Sequence, residues 1–357
     1  MKAKSKKFLY NYLNCESPTG FEVEGQKIWL DYVKQFTDDY ITDTYGSAAA
    51  IINPKAKYKV VIEAHCDEIS WFINYISKEG YIHVIRNGGS DYVIAPSKRA
   101  KIHGENGMVP AVFGWPAIHV REKREEGGKM DVETVVLDCG AGTDKEANKM
   151  GVQVGSVVTF DDQLMELNKK YLVGRALDNR IGGFMIAEVA RMIKENKVKI
   201  PFGLYVTNAV QEEIGLRGAE MIAHRIKPDL AIITDVCHDT TAPGYNKIKQ
   251  GDLHAGKGPV LSFAPAVHNN VLKMLFDVAG KKKIDYQRSA LSRFSGTDTD
   301  AFAYSNEGVA SALISLPLKY MHTTVEMVAL KDIENVIRLM YEFLIQLKAG
   351  HDFRYIK

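Results

Sequence analysis

Apolar runs typical of buried strands alternate along most of the chain with segments whose apolar residues recur at helical spacing. The run "KYKVVIEA" predicts a buried strand, and "FGLYVTNAV", "DLAIITDV" and "SALISLP" predict three more. Helical spacing appears in "FEVEGQKIWLDYVKQF", "NRIGGFMIAEVARMIKENK", "LRGAEMIAHRI", "NNVLKMLFDVAG" and residues 330–348. This alternation predicts an α/β fold with a mixed, largely parallel sheet covered by helices on both faces.

The pattern changes between about residues 71 and 160. Short β-like pieces such as "YIHVI", "MVPAVFGW" and "SVVTF" alternate there with turns that contain Gly and Pro. Because the first strand belongs with the later ones, this β-rich piece is predicted to be an insertion. We therefore expect a discontinuous α/β domain over 1–69 and 165–357, and a small inserted domain over 70–164.

Composition and charge limit the kinds of binding partner that the chain is expected to have. The 357 residues include 46 Lys and Arg against 44 Asp and Glu, and no long run of one charge predicts a nucleic-acid or membrane partner. No apolar run approaches the roughly 18 residues of a membrane span, and the basic start leads into too little apolar length for a secretion signal. Four widely spaced cysteines without a CxxC pair suit a reducing compartment. We expect a cytoplasmic protein.

Polar residues with metal-binding or acid–base side chains stand directly after several predicted strands and before one predicted helix. They are His65, Asp67, Asp178, Glu212, Glu213, Asp235 and His322. In open α/β sheets ligands bind at the carboxyl ends of the strands, so these side chains are predicted to converge on one rim. Taken singly, each is more often a turn former, a helix cap or a solvated loop residue. Their joint appearance favours a metal site.

Two histidines and three carboxylates form a mixed nitrogen and oxygen set that suits zinc or a similar divalent ion. Charge favours two ions: they bring +4, Asp178, Glu213 and Asp235 bring −3, and a bridging hydroxide completes neutrality. Without metal, three buried carboxylates would repel each other. Asp67, two residues after His65 on an extended backbone, points to the same side and can hold its ring, although a turn or cap role is equally consistent.

One further motif is a near match to a phosphate-binding loop. "GDLHAGKG" at 251–258 resembles GxxxxGK[ST], but Gly258 replaces the hydroxyl that would hold magnesium, and "PVLSF" continues as a strand instead of a helix. We therefore do not predict nucleotide binding there.

The chain resembles the tetrahedral (TET) aminopeptidases, a family of glutamyl and deblocking aminopeptidases that includes proteins formerly labelled endoglucanases. The resemblance covers nearly the whole chain. It is carried by "SPTGFE", "EAHCDEIS", "LDCGAGTDKEANKMGVQVGSVVTF", "GRALDNRIGG", "QEEIGLRGA", "GKGPV", "SGTDTDA" and "YMHTTVEMV". It departs from the family at Cys66, where Met is common, and at Asn179, where a second Asp is common.

The resemblance implies a role for each candidate residue. Two metal ions would be held, with Asp178 bridging, by His65, Asp178, Glu213, Asp235 and His322. Glu212 would be the general base, and Asp67 would orient His65. The segment "SGTDTDA" would lie near the substrate through Ser295, Gly296, Thr297 and Asp298. Zinc is the expected metal, with cobalt or manganese as alternatives.

The resemblance also implies a phosphorylase/hydrolase-like fold of the zinc-peptidase type. Residues 70–164 would form a β-barrel-like dimerisation domain, and dimers would assemble into a tetrahedral dodecamer. The expected activity is removal of N-terminal amino acids from peptides, by a metal-activated water with a glutamate base. Two alternatives stay open: a glycosidase acting on β-glucans, and an assembly or binding protein without metal.

Overall fold

In the computed structural model, residues 1–117, 119 and 132–356 are described. The chain forms two compact units. The larger one comprises Met1–Glu68, Leu164–Met321 and Val325–Lys357, and the smaller one comprises Ile69–Gln163 with His322–Thr324. Among the helices of the described residues, none combines the length and apolar character that a bilayer span requires.

The strands are numbered along the chain. They are β1 (Asp39–Thr42), β2 (Ala48–Ile52), β3 (Lys59–His65), β4 (Ser70–Ile76), β5 (Ile82–Asn87), β6 (Arg99–Gly104), β7 (Gly107–Gly114), β8 (Val136–Asp138), β9 (Val157–Phe160), β10 (Met165–Leu167), β11 (Tyr171–Gly174), β12 (Gly203–Ala209), β13 (Leu230–His238), β14 (Val260–Phe263), β15 (Gln287–Ala290), β16 (Ala310–Lys319) and β17 (Glu326–Ala329).

The helices are numbered in the same way. They are α1 (Ala3–Asn14), α2 (Val23–Val33), α3 (Asp144–Lys149), α4 (Leu177–Glu195), α5 (Arg217–Ile226), α6 (Lys247–Gln250), α7 (Asn269–Lys282), α8 (Asp298–Ala303) and α9 (Leu330–Leu344).

The larger unit is built on one mixed sheet of eleven strands, whose main order is β1-β2-β12-β3-β13-β16-β17-β11-β10. Its centre, β12, β3, β13 and β16, is parallel, and antiparallel strands extend it on both sides. The four central strands are almost entirely buried, which explains their continuous apolar runs. Their carboxyl ends lie at one edge of the sheet.

Helices cover this sheet in two groups. The long helix α4 packs on β3 and contacts α1, α2 and α9, while α5 and α8 contact each other and pack on β12 and β13 respectively. Nearly every residue of α4 up to Ile193 is buried, so this helix is the centre of its layer. The predicted α/β fold with a largely parallel sheet and helices on both faces is confirmed.

The smaller unit contains a closed barrel with the strand order β4-β5-β8-β7-β6-β9. It has its own apolar core, in which the ring of Trp71 lies 5.8 Å from that of Phe113 and 6.2 Å from that of Phe160. Side chains of β7 alternate between buried and exposed, as the wall of a small barrel requires. The prediction of an additional small β-rich domain is confirmed.

Several elements differ from the sequence prediction. Strand β13 continues to His238, two residues beyond the predicted run "DLAIITDV", because it pairs with β16 along its whole length, and Asp235 therefore lies well inside the strand. Helix α9 ends at Leu344, before the predicted end at residue 348. The hairpin of β10 and β11 and the strand β15 were not predicted, whereas β14 corresponds to the strand predicted in "PVLSF". The three unpredicted strands are three or four residues long and carry little apolar periodicity.

Candidate active site

Three neighbouring parallel strands bring most of the candidate side chains together. His65 is the last residue of β3 and is paired in register with Ala209, the last residue of β12. After β12, Gln211 adopts a left-handed conformation with φ 56°, which turns the chain so that Glu212 and Glu213 follow at the sheet edge. On the other side of β3, β13 carries Asp235.

Asp178 reaches the same place from the start of α4. Ala176 has φ 57°, and Asp178 itself has φ −79° and ψ 111°, so helical geometry begins only after it. The backbone amide of Asp178 donates to Glu326 Oε2 at 3.1 Å. The amide group of Asn179 donates to the carbonyl of Thr234 at 2.7 Å, next to Asp235. These contacts fix the entry of α4 against β13 and β17.

The imidazole of His65 lies at the centre of the carboxylates. Its Nε2 is 3.3 Å from Asp178 Oδ1, 3.8 Å from Glu212 Oε2 and 4.0 Å from Asp235 Oδ1. Two groups have ligand atoms that all lie within 4.8 Å of one another: His65 with Asp178 and Glu213, and His65 with Glu212 and Asp235. Four of the predicted residues are therefore gathered around the His65 ring, and the second group contains Glu212, the predicted base.

The electrostatics of the cluster are those of crowded, buried negative charge. Burial is the main cause that raises the pKa of Glu212, Glu213 and Asp235, and neighbouring carboxylates raise it further. Burial alone would lower the pKa of His65, but the nearby carboxylates, Glu212 first, raise it well above its ordinary range. Each of these carboxyl groups thus favours its neutral, protonated form, and His65 favours its positively charged form. Both preferences reduce the net negative charge of the cluster.

The donor set fits a divalent cation. Both ring nitrogens of His65 are buried, and within the described part of the chain neither makes an aligned hydrogen bond. A buried polar atom without such a partner is costly, and a metal ion is one way to satisfy it. The carboxylates and imidazole are also the ligand types that zinc and similar ions take. The residues around His65 could therefore hold metal.

Asp67 connects the two sides of the site. Its fully buried carboxylate lies 3.3 Å from His65 Nδ1. It also accepts hydrogen bonds from the backbone amides of Glu212, at 3.0 Å, and Glu213, at 3.3 Å. The first contact agrees with the predicted orientation of His65. The other two were not predicted, because they depend on how β12 and β3 are aligned.

His322 belongs to the segment His322–Thr324, which packs with the barrel unit. Its backbone is left-handed, with φ 60°. Its imidazole lies against Gly89, where an added Cβ would come within 2.6 Å of Nδ1, so that position favours glycine. Its role as a metal ligand stays a prediction.

Known proteins resemble this chain over almost its entire length. A family model of M42 glutamyl aminopeptidases matches residues 46–339. The lysyl aminopeptidase of Pyrococcus furiosus is 32% identical over 337 residues, which cover 93% of this chain and 95% of that protein. The chain belongs to the M42 aminopeptidase family. It is a peptidase that acts on peptide bonds, as the sequence predicted.

Solved structures of M42-like peptidases have the same fold. A TET aminopeptidase from a marine sediment Thaumarchaeota archaeon has a TM-score of 0.92 at 28% identity, covering 97% of this chain and 98% of that one. The TET1 peptidase of Pyrococcus horikoshii, which can assemble into a tetrahedron or a large octahedral shell, has a TM-score of 0.84 at 25% identity, covering 96% and 100%. The predicted resemblance to TET aminopeptidases is confirmed.

In this M42 peptidase the predicted substrate segment forms the start of α8. The backbone amides of Ser295 and Gly296 donate to Asp300, and the Thr297 hydroxyl caps the helix. Asp298 is buried beside Glu63 of β3. Burial and this neighbour raise the pKa of Asp298, and burial raises that of Glu63 to about 8, so both carboxyl groups favour the neutral form. A role of the four predicted residues in substrate binding stays a prediction.

The near match to a phosphate-binding loop has a structural role in this M42 peptidase. The backbone amides of Gly256 and Gly258 both donate to the carboxylate of Asp332, in the first turn of α9. A phosphate loop needs such amides to point at its ligand. Here they are engaged inside the chain, which agrees with the sequence-based decision against nucleotide binding.

Proposed function

We propose that this M42 peptidase is a metal-dependent aminopeptidase with a dinuclear site. The observation that carries the proposal is the cluster of Asp178, Glu212, Glu213 and Asp235 around the single ring of His65, at the carboxyl edge of the parallel strands. One imidazole cannot balance four carboxylates. Two divalent ions can, and the charge count of the ligands favours two over one.

The proposed ligands are side chains with imidazole nitrogen or carboxylate oxygen donors. They are His65, Asp178, Glu213, Asp235 and His322, with Asp178 between the two ions. The nitrogen and oxygen set suits zinc, and cobalt or manganese are the alternatives. When bound, such ions supply Lewis acidity toward the peptide carbonyl and a water of lowered pKa.

Glu212 is the proposed general base. Its side chain is 11% exposed, so solvent can reach it, and its carboxylate lies 3.8 Å from His65 Nε2. In this role Glu212 takes a proton from the attacking water and delivers it to the nitrogen of the departing amine. Asp67 holds the Glu212 backbone and faces His65, so it keeps the base and the ring in fixed relation.

The proposed substrates are peptides with a free N-terminus, from which single residues are removed. We also propose that the chain is cytoplasmic and forms homo-oligomers, with dimers made through residues 70–164 and a tetrahedral dodecamer as the complete particle. The assembly of the similar TET1 peptidase into closed shells supports this part of the proposal. Light scattering of the purified protein tests it, because a dodecamer and a dimer differ sixfold in mass.

The test of the activity is hydrolysis of a panel of aminoacyl-anilides that includes lysyl and glutamyl derivatives. The protein is first treated with a chelator and then assayed with and without zinc, cobalt or manganese. We expect activity to disappear on chelation and to return with at least one metal. Chelator-resistant release of sugar from a β-glucan would instead support the glycosidase alternative. Failure to bind any metal would support a binding protein.

A further inference from the structure

Within the segment of residues 17–22, Ser17, Pro18, Thr19 and Glu22 are buried beside the candidate active site, yet no role in the reaction has been assigned to them. A turn closed by the Phe21 amide on the Pro18 carbonyl, at 2.7 Å, places Gly20 in a left-handed conformation with φ 85°. Pro18 forms a parallel bridge with Glu68, directly after Asp67. The segment therefore lies along the chain that leaves β3.

Thr19 contacts Asp67 directly. Its hydroxyl donates to Asp67 Oδ2 at 2.9 Å and lies 3.2 Å from the carbonyl of Glu68, while its amide donates to that carbonyl at 3.1 Å. The side chain of Thr19 is 1% exposed, so water does not compete for the carboxylate. The same oxygen, Oδ2, accepts the Glu213 amide, and Oδ1 accepts the Glu212 amide.

Glu22 makes a second contact with the turn that carries the two glutamates. Its buried carboxyl group accepts hydrogen bonds from the amide of Gly20, at 2.7 Å, and from the amide of Gln211. Gln211 is the left-handed residue on which the chain turns after β12. The segment is thus linked to all three residues of the turn at 211–213. Glu22 contacts Gln211 directly, and Thr19 bonds to Asp67, which in turn accepts the amides of Glu212 and Glu213.

We propose that Thr19 is a positioning residue for the peptidase reaction, acting through Asp67 on Glu212 and Glu213. This inference rests on the proposed roles of those two glutamates. A carboxylate that accepts three hydrogen bonds and faces the His65 ring has few free orientations, and removal of the side-chain donor leaves it free to rotate away from the two amides. Removal of the Thr19 hydroxyl should therefore change both metal affinity, through Glu213, and proton transfer, through Glu212.

The decisive variant is Thr19→Val, which keeps the shape of the side chain and removes only the hydroxyl group. Thr19→Ser keeps the hydroxyl and is the rescue. Thr207→Val is the matched control: Thr207 is also fully buried, on β12, and in the described part of the chain its hydroxyl makes no hydrogen bond. All three are compared with the unmodified protein in its metal-loaded form.

We expect Thr19→Val to lower kcat about 10-fold with KM changed less than about 2-fold, and to weaken zinc binding about 10-fold in a competition titration with a chromophoric chelator. Thr19→Ser and Thr207→Val should stay within about 2-fold of the unmodified protein in both measurements. A Thr19→Val protein that matches Thr207→Val in kcat and in zinc affinity would overturn the proposal. If the valine prevents folding, Thr19→Ala against Thr19→Ser gives the same comparison.

The two proposals fail in different ways. Absence of metal-dependent hydrolysis in the unmodified protein would contradict the proposed function, and the zinc titration would still show whether Thr19 acts on the ligands. Normal hydrolysis by the unmodified protein together with an unaffected Thr19→Val protein would contradict only the role of Thr19. A lower melting temperature without a change in kcat or zinc affinity would show that Thr19 is merely structural.

Discussion

Asp67 and Glu68 are consecutive buried acids, but they belong to two regions of the same unit that differ in how their buried charges are balanced. Glu68 accepts the Ser17 amide at 2.7 Å and is paired with Arg175 and Arg180. Arg180, completely buried, also donates to the carbonyls of Tyr12 and Cys15 and lies over the Tyr12 ring. In this second region, which we call the arginine network, acids and bases are matched within the chain.

The candidate active site has a different balance of charge. Four carboxylates face one imidazole there, and the pKa values of Glu212, Glu213 and Asp235 are raised, whereas two arginines neutralise the acids of the arginine network. Arginines are buried beside Glu68, whereas the carboxylates of the candidate active site surround an imidazole. This difference supports the metal site proposed above, in which bound cations would supply the positive charge.

The largest expected effect is that of Glu212→Gln. The amide keeps the size of the side chain but cannot accept the proton, so kcat should fall by about 10²-fold or more, while metal content stays close to that of the unmodified protein. Elemental analysis and anilide hydrolysis on the same preparation measure both quantities. Near-normal turnover would exclude Glu212 as the base and leave it as a ligand beside Asp235.

Glu213→Gln should show the opposite pattern. Because a neutral amide is a poor ligand for a divalent ion, metal content should fall first, and activity should recover in part when metal is supplied in excess. The measurement is the metal concentration at half-maximal activity, which we expect to rise at least about 10-fold. An unchanged value would show that Glu213 does not bind metal.

Breaking the arginine network should cost stability without removing metal. Arg175→Met leaves the buried Glu68 carboxylate with a weaker partner set, and we expect a loss of about 3 kcal/mol in the free energy of unfolding. Guanidinium-induced unfolding measures it. The control is Lys331→Met, which removes an exposed pair with Asp285 and should cost much less. Similar losses in both variants would mean that the network contributes no more than a surface pair.

The last expected effect depends on pH. Burial, assisted by the charge of Asp67, raises the pKa of Glu22 to about 7, above its value near 4.5 in the unfolded chain. The folded state therefore holds this proton more tightly, and its stability falls as pH rises from about 4.5 through about 7. Glu22→Gln removes that dependence.

The Glu22→Gln variant should gain on the unmodified protein by up to about 3 kcal/mol between pH 5 and pH 8. Unfolding of chelator-treated protein at both pH values measures the gain, and the chelator removes the charge of bound metal from the comparison. A constant difference between the two proteins would show that Glu22 is ionised throughout.

The sequence was sufficient to predict the elements whose apolar residues follow a simple strand or helix pattern. The buried runs of β3, β12 and β16 were predicted within a few residues, and the polar residues after the first two strands proved to be neighbours. This works because parallel strands align their carboxyl ends whatever their separation along the chain. Motifs quoted from the sequence then led to the correct family.

Contacts that depend on register and backbone conformation could not be predicted. Asp67 was assigned to His65 from its spacing, but its bonds to two backbone amides need the left-handed turn at Gln211. Thr19 and Glu326 stand far from their partners in the sequence and carry no periodic signal. Glu63 lay inside an apolar run, and only the fold shows that it meets Asp298.

The three-way bonding of Asp67 has a consequence for how this protein can change over time. One carboxylate faces the ring and holds the backbone of both glutamates, so a substitution there alters all three at once. Substitutions of Asp67 are therefore expected to be removed by selection. New substrate preferences should arise on loops that do not contact it. The contacts of Asp67 thus make the reaction hard to modify, whereas substrate selectivity can change.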